Sequence, residues 1–533
     1  MSDLDAVIIG AGHNGLTCAA YLGMAGLRVR VLERRGVVGG ACVTEEFHPG
    51  FRNSTAAYTV GLLQPKIIAD LKLHEHGLRI VERRAQNFLP LPDGRHLLTG
   101  EGRTEREIAK FSTRDAARYP AYQAEISRVA QVLRGLVLSA PPNPTLRRMG
   151  GAVGEFGKFA AIGKRLWQAG AGRAMLGLFR KSAGAMLDGW FHSDPIKAVL
   201  GFDAVVGSLA SPYTPGSAYV LLHHVFGEVN GKEGIWGHAI GGMGAITQAM
   251  AKAAGAHGVR IDVRTAVREV LLERGRAIGV LLEDGTAVRA RAVIANVNPQ
   301  HLFRDLVPRE AVPPAMAARM RAWKAGSGTF RMNLALSKLP VFSALPEAGD
   351  HLTAGIILAP SLAYMDQAYD DCIRHGWSRA PIIEMVIPST LDDSLAPSGA
   401  HVASLFCQHV APQFVDGSTW EQHRETVADL MIDTVEAYAP GLRASVIARQ
   451  SLSPFDLERI FGLPNGDIFH GALTLDQLFS ARPMRGYADY RMPVAGLYLC
   501  GSGAHPGGGV TGAPGHNAAR AVIADLSASA NVG

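Results

Sequence analysis

Three glycines near the start of the chain have the spacing of a phosphate-binding turn. Gly10, Gly12 and Gly15 form a GxGxxG motif between an apolar strand and a helix, and Glu33 ends the next strand. Such a turn lets the backbone approach a pyrophosphate, and the following helix N-terminus offers free N–H groups and a positive dipole. An acid at the place of Glu33 accepts hydrogen bonds from ribose hydroxyls. In this strand-helix-strand context, the motif predicts a dinucleotide site rather than a coincidental turn.

A Gly-Gly step soon after Glu33 indicates which dinucleotide is bound. The sequence Gly39-Gly40-Ala41 is typical of flavoproteins, in which the chain continues along the cofactor towards its ring. Near the other end of the chain, a strand at 496–500 leads into a glycine-rich loop and a helix. Such a loop can aim backbone N–H groups at the pyrimidine edge of a flavin. We therefore predict FAD as the cofactor, the alternative being a glycine-rich surface turn.

Three separated stretches of α/β pattern position these motifs. The first is predicted as strand 5–9, helix 14–25 and strand 27–32. The second has a helix at 245–257, two strands around the hairpin turn Glu283-Asp284-Gly285 and a closing strand at 292–295. The third is the C-terminal strand with a helix at about 515–526. The pattern predicts one nucleotide-binding unit that is assembled from distant parts of the chain.

Two long inserts separate these stretches. The first is largely helical in pattern, and the second mixes strands such as 330–336 with helices such as 419–438. We predict an α/β fold: a Rossmann-type FAD-binding domain from residues 1–77, 237–300 and 490–533, and an α+β substrate domain from 78–236 and 301–489.

Composition excludes several other classes of protein. The 533 residues include 53 Lys and Arg against 47 Asp and Glu, which argues against a nucleic-acid binder. Five dispersed cysteines show no CxxC or zinc spacing, so we expect no disulfide scaffold and no metal site. No secretion or transit signal is recognised, and the most apolar stretch, 204–227, contains two prolines and a histidine pair that disfavour a bilayer span. These features favour a cytoplasmic protein.

Positive charge is concentrated in one helical segment, 146–191. Residues 146–181 include one acid, Glu155, and eight basic residues: Arg147, Arg148, Lys158, Lys164, Arg165, Arg173, Arg180 and Lys181. Apolar residues recur among them at helical spacing, as in an amphipathic helix on an anionic membrane surface or at a cavity mouth. The alternatives are a solvated helical face and a contact between copies in a homo-oligomer.

Longer strings in the middle and at the end of the chain resemble the phytoene-desaturase-like family of FAD enzymes, which includes carotenoid and retinoid oxidoreductases. These strings are SPYTPGS at 211–217, YVLLHHV at 219–225, GGMG at 241–244, LERIFGLP at 457–464 and GSGAHPGGG at 501–509. The resemblance spans essentially the whole chain. It implies a fold of the amine-oxidase and phytoene-desaturase type.

The resemblance also implies a set of cofactor-binding residues. Val267 would offer its backbone to the adenine, and Ser502 departs from the family, because many relatives have an acid there. The adenosine and pyrophosphate would be held by Gly10, Ala11, Gly12, Asn14, Gly15, Glu33, Arg34, Gly39, Gly40, Ala41 and Val267. The ribityl chain and the ring would be held by Gly501, Ser502, Val510, Thr511 and Gly512.

Arg331 is the candidate catalytic residue. In the wider group of related enzymes a lysine on a substrate-domain strand often reaches a water beside the flavin, and strand 329–334 resembles its counterpart. Arginine is a poor proton acceptor because its pKa exceeds ~12, so its role beside the ring would be electrostatic or positional. The alternative is an arginine paired with a carboxylate in a domain interface.

These inferences lead to an FAD-dependent oxidoreductase that transfers hydride between the flavin and an apolar substrate. By resemblance, that substrate is isoprenoid, carotenoid-like or a lipid, and the protein supplies position and a dry cavity. Two alternatives remain open: an amine-type flavin oxidase, and a non-catalytic protein that holds FAD for structure and acts through protein contacts.

Overall fold

The computed structural model describes residues 4–143, 152–225 and 227–530. Its strands are β1 (Leu4–Ile9), β2 (Val29–Leu32), β3 (Thr44–His48), β4 (Phe51–Ser54), β5 (Ile80–Glu82), β6 (Asn87–Pro90), β7 (His96–Leu98), β8 (Glu228–Val229), β9 (Lys232–Glu233), β10 (Gly237–Ala239), β11 (Arg260–Asp262), β12 (Val267–Glu273), β13 (Arg276–Leu282), β14 (Ala287–Ala295), β15 (Thr329–Leu336), β16 (Gly355–Leu358), β17 (Trp377–Val386), β18 (His401–Val410), β19 (Val446–Leu452) and β20 (Leu497–Leu499).

Helices occupy both the inserts and the flanks of the first sheet. The α-helices are α1 (His13–Met24), α2 (Pro65–Asp70), α3 (Thr104–Ala109), α4 (Thr113–Val137), α5 (Ala152–Gln168), α6 (Gly172–Arg180), α7 (Ala183–Trp190), α8 (Asp194–Phe202), α9 (Ser217–Val225), α10 (Gly244–Ala256), α11 (Pro299–His301), α12 (Pro314–Arg321), α13 (Leu362–His375), α14 (Trp420–Tyr438), α15 (Leu442–Ser445), α16 (Pro454–Phe461) and α17 (Ala513–Ala530). A π-helical turn covers Leu302–Leu306, and short 3₁₀ turns cover Arg309–Ala311, Asp350–Thr353, Pro388–Thr390, Asp393–Leu395, Pro464–Gly466, Leu475–Gln477 and Phe479–Ala481.

The first sheet has seven strands and combines three distant parts of the chain. Its order is β11-β2-β1-β14-β13-β12, and β20 also pairs with β14. The pairs among β11, β2, β1, β14 and β20 are parallel, whereas β12, β13 and β14 form an antiparallel extension. Strand β1 is a continuous apolar run that is buried almost throughout, as a parallel sheet covered on both faces requires. Helix α1 packs against both α10 and α17.

The second sheet, also of seven strands, has the order β19-β15-β18-β17-β16-β6-β7. Its strand β15 is buried at all eight positions. Helices α4 and α6 to α9 share a hydrophobic core with side chains of this sheet, among them Ile382 and Phe406. The cavity described below lies between this layered unit and the first sheet.

The α/β fold class is confirmed, and the elements lie within a few residues of their predicted positions. One stretch packs against a different sheet from the one that the predicted domain division implies. Leu302, Met316 and Trp323 belong to the hydrophobic core of the first sheet, although the sequence pattern assigns 301–489 to the substrate domain. Their apolar side chains cover the sheet beside β12. The domain boundaries themselves stay predictions.

The described residues also bear on the expectations about membrane spans, metal sites and cysteines. Within the described ranges, no helix is long and apolar enough to cross a membrane, and no group of His, Cys, Asp and Glu side chains is arranged to hold a metal ion. All five cysteines are described, buried and free. Arg147 and Arg148 of the basic segment lie outside the described residues.

Candidate active site

A continuous cavity of about 410 Å³ runs from the edge of the first sheet into the space beneath the second. Three distant segments of the chain and both inserts contribute to its wall. Most residues that were expected to bind the cofactor lie on that wall: Gly10, Gly12, Asn14, Glu33, Arg34, Gly39, Gly40, Ala41, Val267, Ser502 and Val510.

The glycine turn brings the N-terminus of α1 to the cavity. Gly12 is the N-cap residue and provides no side-chain cap, so the first amides of the helix remain available to a ligand. A Cβ at Gly15 would lie 2.3 Å from the carbonyl oxygen of Gly10, so glycine is required for this close packing. Gly12 also forms a bridge with Gly39 of the second glycine motif. The two glycine motifs therefore make one wall.

Glu33 lies on this wall beside the glycine turn and is only 5% exposed. Its Oε2 accepts a hydrogen bond from the Ala11 amide at 2.9 Å, and its Oε1 accepts one from the Arg35 amide at 2.8 Å. Each carboxylate oxygen can accept a second hydrogen bond. The carboxylate is therefore held by backbone and keeps capacity for ribose hydroxyls.

Two hydrogen bonds join the first and last segments of the chain at the cavity. Asn14 Nδ2 donates to Ser502 Oγ at 3.1 Å, and His13 Nε2 lies 3.1 Å from the Gly509 carbonyl oxygen. Burial lowers the pKa of His13 to about 4, so its imidazole is neutral and can donate to that carbonyl. The Ser502 carbonyl oxygen accepts from Nη2 of the buried Arg482 at 2.7 Å. Together these contacts fix the C-terminal loop against the glycine turn.

Five of the expected residues support the wall without forming it. The Ala11 amide holds Glu33, Gly15 permits the helix packing, and Thr511 Oγ1 accepts from the Ala513 amide at the start of α17. Gly512 has φ +71°, a conformation that favours glycine. The residues of this group are Ala11, Gly15, Gly501, Thr511 and Gly512.

Arg331 lies behind the cavity wall. It is 1% exposed, and its Nη1 and Nη2 donate to the Leu405 carbonyl at 2.8 Å and to Ser404 Oγ at 2.6 Å. Its guanidinium carbon lies 4.5 Å from the ring centre of Tyr58, which does line the cavity. The guanidinium therefore binds a backbone carbonyl and a hydroxyl rather than a carboxylate, and Tyr58 separates it from the cavity.

A buried polar cluster that sequence reasoning missed lies where Tyr58 meets β17. The Tyr58 hydroxyl donates a short hydrogen bond to Glu384 Oε2, and Arg83 Nη1 lies 3.7 Å from Glu384 Oε1. Burial, the Glu384 charge and the hydrogen bond to it raise the pKa of Tyr58 well above its usual value. Glu384 is 6% exposed and lines the cavity with Tyr58. This tyrosine therefore keeps its proton.

Asp203, immediately after α8, is the second missed acid on the cavity wall. Within the described residues, no hydrogen bond joins its carboxyl group to another protein group. Burial, with a smaller contribution from the Glu384 charge, raises the pKa of Asp203 to about 8. At neutral pH this carboxyl group is mostly protonated and can donate a hydrogen bond into the cavity.

The sequence does carry a signal for both acids. Glu384 interrupts the otherwise apolar end of β17, and Asp203 is the single charged residue in the apolar run 198–206. A charged residue in such a run is unfavourable unless it has a partner or a function. Most other side chains at this end of the cavity are apolar, among them Phe202, Val206, Phe406, Ile468 and Phe469, although Thr59 and Asn87 also line it.

The wall fits FAD. Glu33 suits a ribose, the open N-terminus of α1 suits a pyrophosphate, and the cavity continues along Gly40 and Ser502. Asn14 Oδ1 is buried and, within the described residues, has no hydrogen-bond partner, so it is ready to accept from a hydroxyl of the ligand. The acid, the amides and the amide oxygen therefore lie on one wall and suit the polar parts of FAD.

Comparison with known proteins agrees with this geometry. The family model described as "Flavin containing amine oxidoreductase" matches residues 15–329. Three relatives align over nearly full length: the rat pyridine nucleotide-disulfide oxidoreductase domain-containing protein 2 (44% identity; 98% of this chain and 94% of the relative), a limonene dehydrogenase chain of Castellaniella defragrans (26%; 98% and 95%) and a lycopene-forming phytoene desaturase of Pseudescherichia vulneris (25%; 95% and 96%).

Solved structures share the fold at low sequence identity. An oxidoreductase from Methanosarcina mazei superimposes with a TM-score of 0.62 at 18% identity, covering 98% of this chain and all of that one. Putrescine oxidase bound to putrescine gives 0.60 at 16% identity, covering 98% of this chain and 99% of the other.

Proposed function

The chain belongs to the flavin-containing amine oxidoreductase family and is an FAD-dependent oxidoreductase, and from that premise we propose that it transfers hydride between FAD and an apolar, isoprenoid-like substrate. The observation that carries the proposal is the apolar continuation of the cavity beyond the residues that fit FAD, walled by Phe202, Val206 and Phe406. Relatives named for limonene and phytoene, both isoprenoid hydrocarbons, support the same substrate class.

Residues at different places along the cavity have different roles. The N-terminus of α1 and Glu33 hold the pyrophosphate and ribose, and Asn14 links the cofactor wall to Ser502. When bound, FAD supplies the acceptor or donor of hydride. The apolar wall excludes water and orients the substrate, which favours hydride transfer over side reactions. Tyr58 holds its proton against Glu384 at the edge of that space.

An amine-type oxidase is the second candidate. The carboxylate of Glu384 on a wall that also carries aromatic rings supports it, since a carboxylate and aromatic faces can bind an ammonium ion. The two candidates differ in the substrate that would reduce the flavin.

Anaerobic mixing of the purified holoprotein with a panel of isoprenoid hydrocarbons, isoprenoid alcohols, lipids and amines tests the proposal. We expect an isoprenoid to bleach the visible absorbance of the oxidised flavin, since hydride transfer reduces it. If only amines bleach the flavin, the second candidate is correct; if no compound does, the apolar-substrate proposal is wrong.

A matched pair of variants connects the result to the cavity. Val206 is 8% exposed and lines the apolar end, whereas Val415 is fully exposed. Val206→Phe fills part of the substrate space, so we expect slower reduction with unchanged FAD content. Val415→Phe makes the same change on the surface and should leave the rate unaltered.

We also propose that the basic segment contacts an anionic membrane surface through α5. Most of its apolar side chains pack inward, but Trp167 is 82% exposed and Phe159 is 49% exposed. Lys158, Lys164 and Arg165 are exposed on the same helix. Exposed aromatic rings among cations suit the headgroup region of a bilayer.

A further inference from the structure

We propose that Asp203, with Tyr58 and Glu384, forms a head-group site that binds a neutral hydroxyl or carbonyl oxygen on an otherwise apolar substrate and excludes ammonium groups. The inference rests on the proposed function and deepens it, because it specifies one polar atom of the substrate. Asp203 and Glu384 approach the cavity from different parts of the fold, the end of α8 and strand β17 of the second sheet.

Among the described groups of this cluster that line the cavity, Asp203 is the one with a free donor when it is protonated. Glu384 is engaged by Tyr58 and lies near Arg83, and Arg83 Nη2 donates to Thr59 Oγ1 at 2.7 Å. The carboxyl group of Asp203, in contrast, has no protein hydrogen bond within the described residues although it faces the cavity. A poorly solvated polar group of this kind gains a partner when a ligand supplies one.

The charges around the cluster disfavour an ammonium ion. Two buried guanidinium groups, those of Arg83 and Arg331, lie around the single carboxylate of Glu384. While Asp203 is protonated, the cluster has one net positive charge. A protonated amine would add a second positive charge in a space that water screens poorly, and like charges repel strongly there.

A carboxylate head group is disfavoured for a different reason. Neither arginine lines the cavity: Arg331 lies behind Tyr58, and Arg83 lies behind Glu384 and Thr59. A ligand carboxylate would therefore meet the anionic Glu384 before any cation. A neutral oxygen avoids both penalties and accepts a hydrogen bond from the protonated Asp203.

The test uses holoprotein and compounds that share one isoprenoid chain. The probes are geraniol, geranylamine, geranic acid and the hydrocarbon 2,6-dimethylocta-2,6-diene, with geranylacetone as the ketone. Their binding is measured from the perturbation of the flavin absorbance under anaerobic conditions. We expect geraniol to bind about tenfold more tightly than the hydrocarbon, the effect of one neutral hydrogen bond in a desolvated site. The amine and the acid should bind more weakly than geraniol.

Substitutions of Asp203 separate a hydrogen bond from a structural role. Asp203→Leu should remove the preference for geraniol and leave hydrocarbon binding unchanged. Asp203→Asn retains a donor and should keep the preference within about threefold. Asp194 lies at the other end of α8 with a 64% exposed side chain, so Asp194→Asn is the matched control and should change nothing.

The pH profile provides a readout that packing alone would not change. The titratable groups around Asp203 are Glu384 and Tyr122, with Tyr58, Arg83 and Arg331 packed around Glu384. Because the pKa of Asp203 is about 8, the donor is present below that pH and lost above it. A ketone can only accept, so geranylacetone should bind more weakly above pH 8, whereas geraniol can donate to the carboxylate and should not. Asp203→Asn should flatten the ketone profile.

The outcomes distinguish this inference from the proposed function. Three results would overturn the head-group site: equal binding of geraniol and the hydrocarbon, an unchanged preference in Asp203→Leu, or tightest binding of geranylamine. None of these results bears on the apolar-substrate proposal, which flavin reduction tests. If none of the compounds perturbs or reduces the flavin, the proposed function is wrong, and the head-group site with it.

Discussion

Arg331 influences the cavity through Tyr58. Its guanidinium lies against the Tyr58 ring and is fixed by the Leu405 carbonyl and Ser404, so it neither reaches the cavity nor exchanges a proton there. A desolvated cation on an aromatic ring contributes about 2 kcal/mol, enough to hold the ring in place. These contacts make Arg331 a positioning residue rather than one that contacts the substrate.

Replacing Arg331 tests this role. We expect Arg331→Met to lower kcat about tenfold, because an unheld Tyr58 samples other orientations and because ~1.4 kcal/mol corresponds to tenfold. Arg331→Lys keeps the cation and should recover part of that loss, with FAD affinity the same in both variants. Steady-state kinetics and FAD titration measure the two quantities.

The exposed Arg309 provides the control, as Arg309→Met removes a guanidinium from a surface turn that does not line the cavity. Equal activity of Arg331→Met and the unaltered enzyme would show that Tyr58 needs no such support. A loss of FAD affinity that parallels the loss of kcat would indicate general disruption instead.

Regular elements are predictable where each has a local signal. The apolar run of β1, the glycine turn and the helical spacing of α1 are all contained in about 25 consecutive residues, and the structure has strand Leu4–Ile9 and helix His13–Met24 there. The sequence pattern predicts that strand β15 begins at residue 330, one residue after its observed start at Thr329. Local pattern and final structure agree where an element's apolar face alone determines its place.

The substrate end of the cavity is not predictable in the same way. Tyr58 and Glu384 are 326 residues apart in the chain and meet only because the segment after β4 and strand β17 belong to units that the fold brings together. No periodicity encodes such a meeting. The charged residue in an apolar run marks Glu384 and Asp203 as unusual, but their common cavity requires the three-dimensional arrangement.

Helix α5 carries a prediction at the scale of one element. Reversing Lys158, Lys164 and Arg165 to Glu should abolish sedimentation with vesicles that contain phosphatidylserine, since each cation near such a surface contributes about 1 kcal/mol. Trp167→Ser should weaken binding without changing its dependence on salt. Binding by the unaltered protein should decline as salt rises, because screening weakens the attraction.

Glu substitutions of the exposed Lys66, Lys72 and Arg84 give a control with the same change in charge elsewhere on the surface. Vesicle binding that both triple variants lose equally would reflect total charge rather than α5. An unaltered protein that ignores the vesicles but changes its oligomeric state when α5 is reversed would identify α5 as a contact between copies.

The interior of the molecule contains several histidines that are uncharged in the folded state. Burial lowers the pKa of His409 to about 3 and the pKa values of His351 and His505 to about 4. The three side chains are at most 3% exposed and lie in different parts of the fold. In the unfolded chain each would titrate near its ordinary pKa of ~6.5.

This difference predicts acid sensitivity of the folded protein. Because the folded pKa values are lowered, the unfolded chain binds more protons below pH ~6.5, so stability is full above that value and falls as the pH drops towards 4. Each such histidine contributes a slope of about 1.4 kcal/mol per pH unit in that window.

Urea unfolding at about pH 7.5 and about pH 5.5 should show a clearly lower free energy of unfolding at the acid pH. His351→Gln should reduce the slope by one proton, whereas substitution of the exposed His257 by Gln should leave it unchanged. Equal stability at the two pH values would mean that these histidines are already protonated in the folded state.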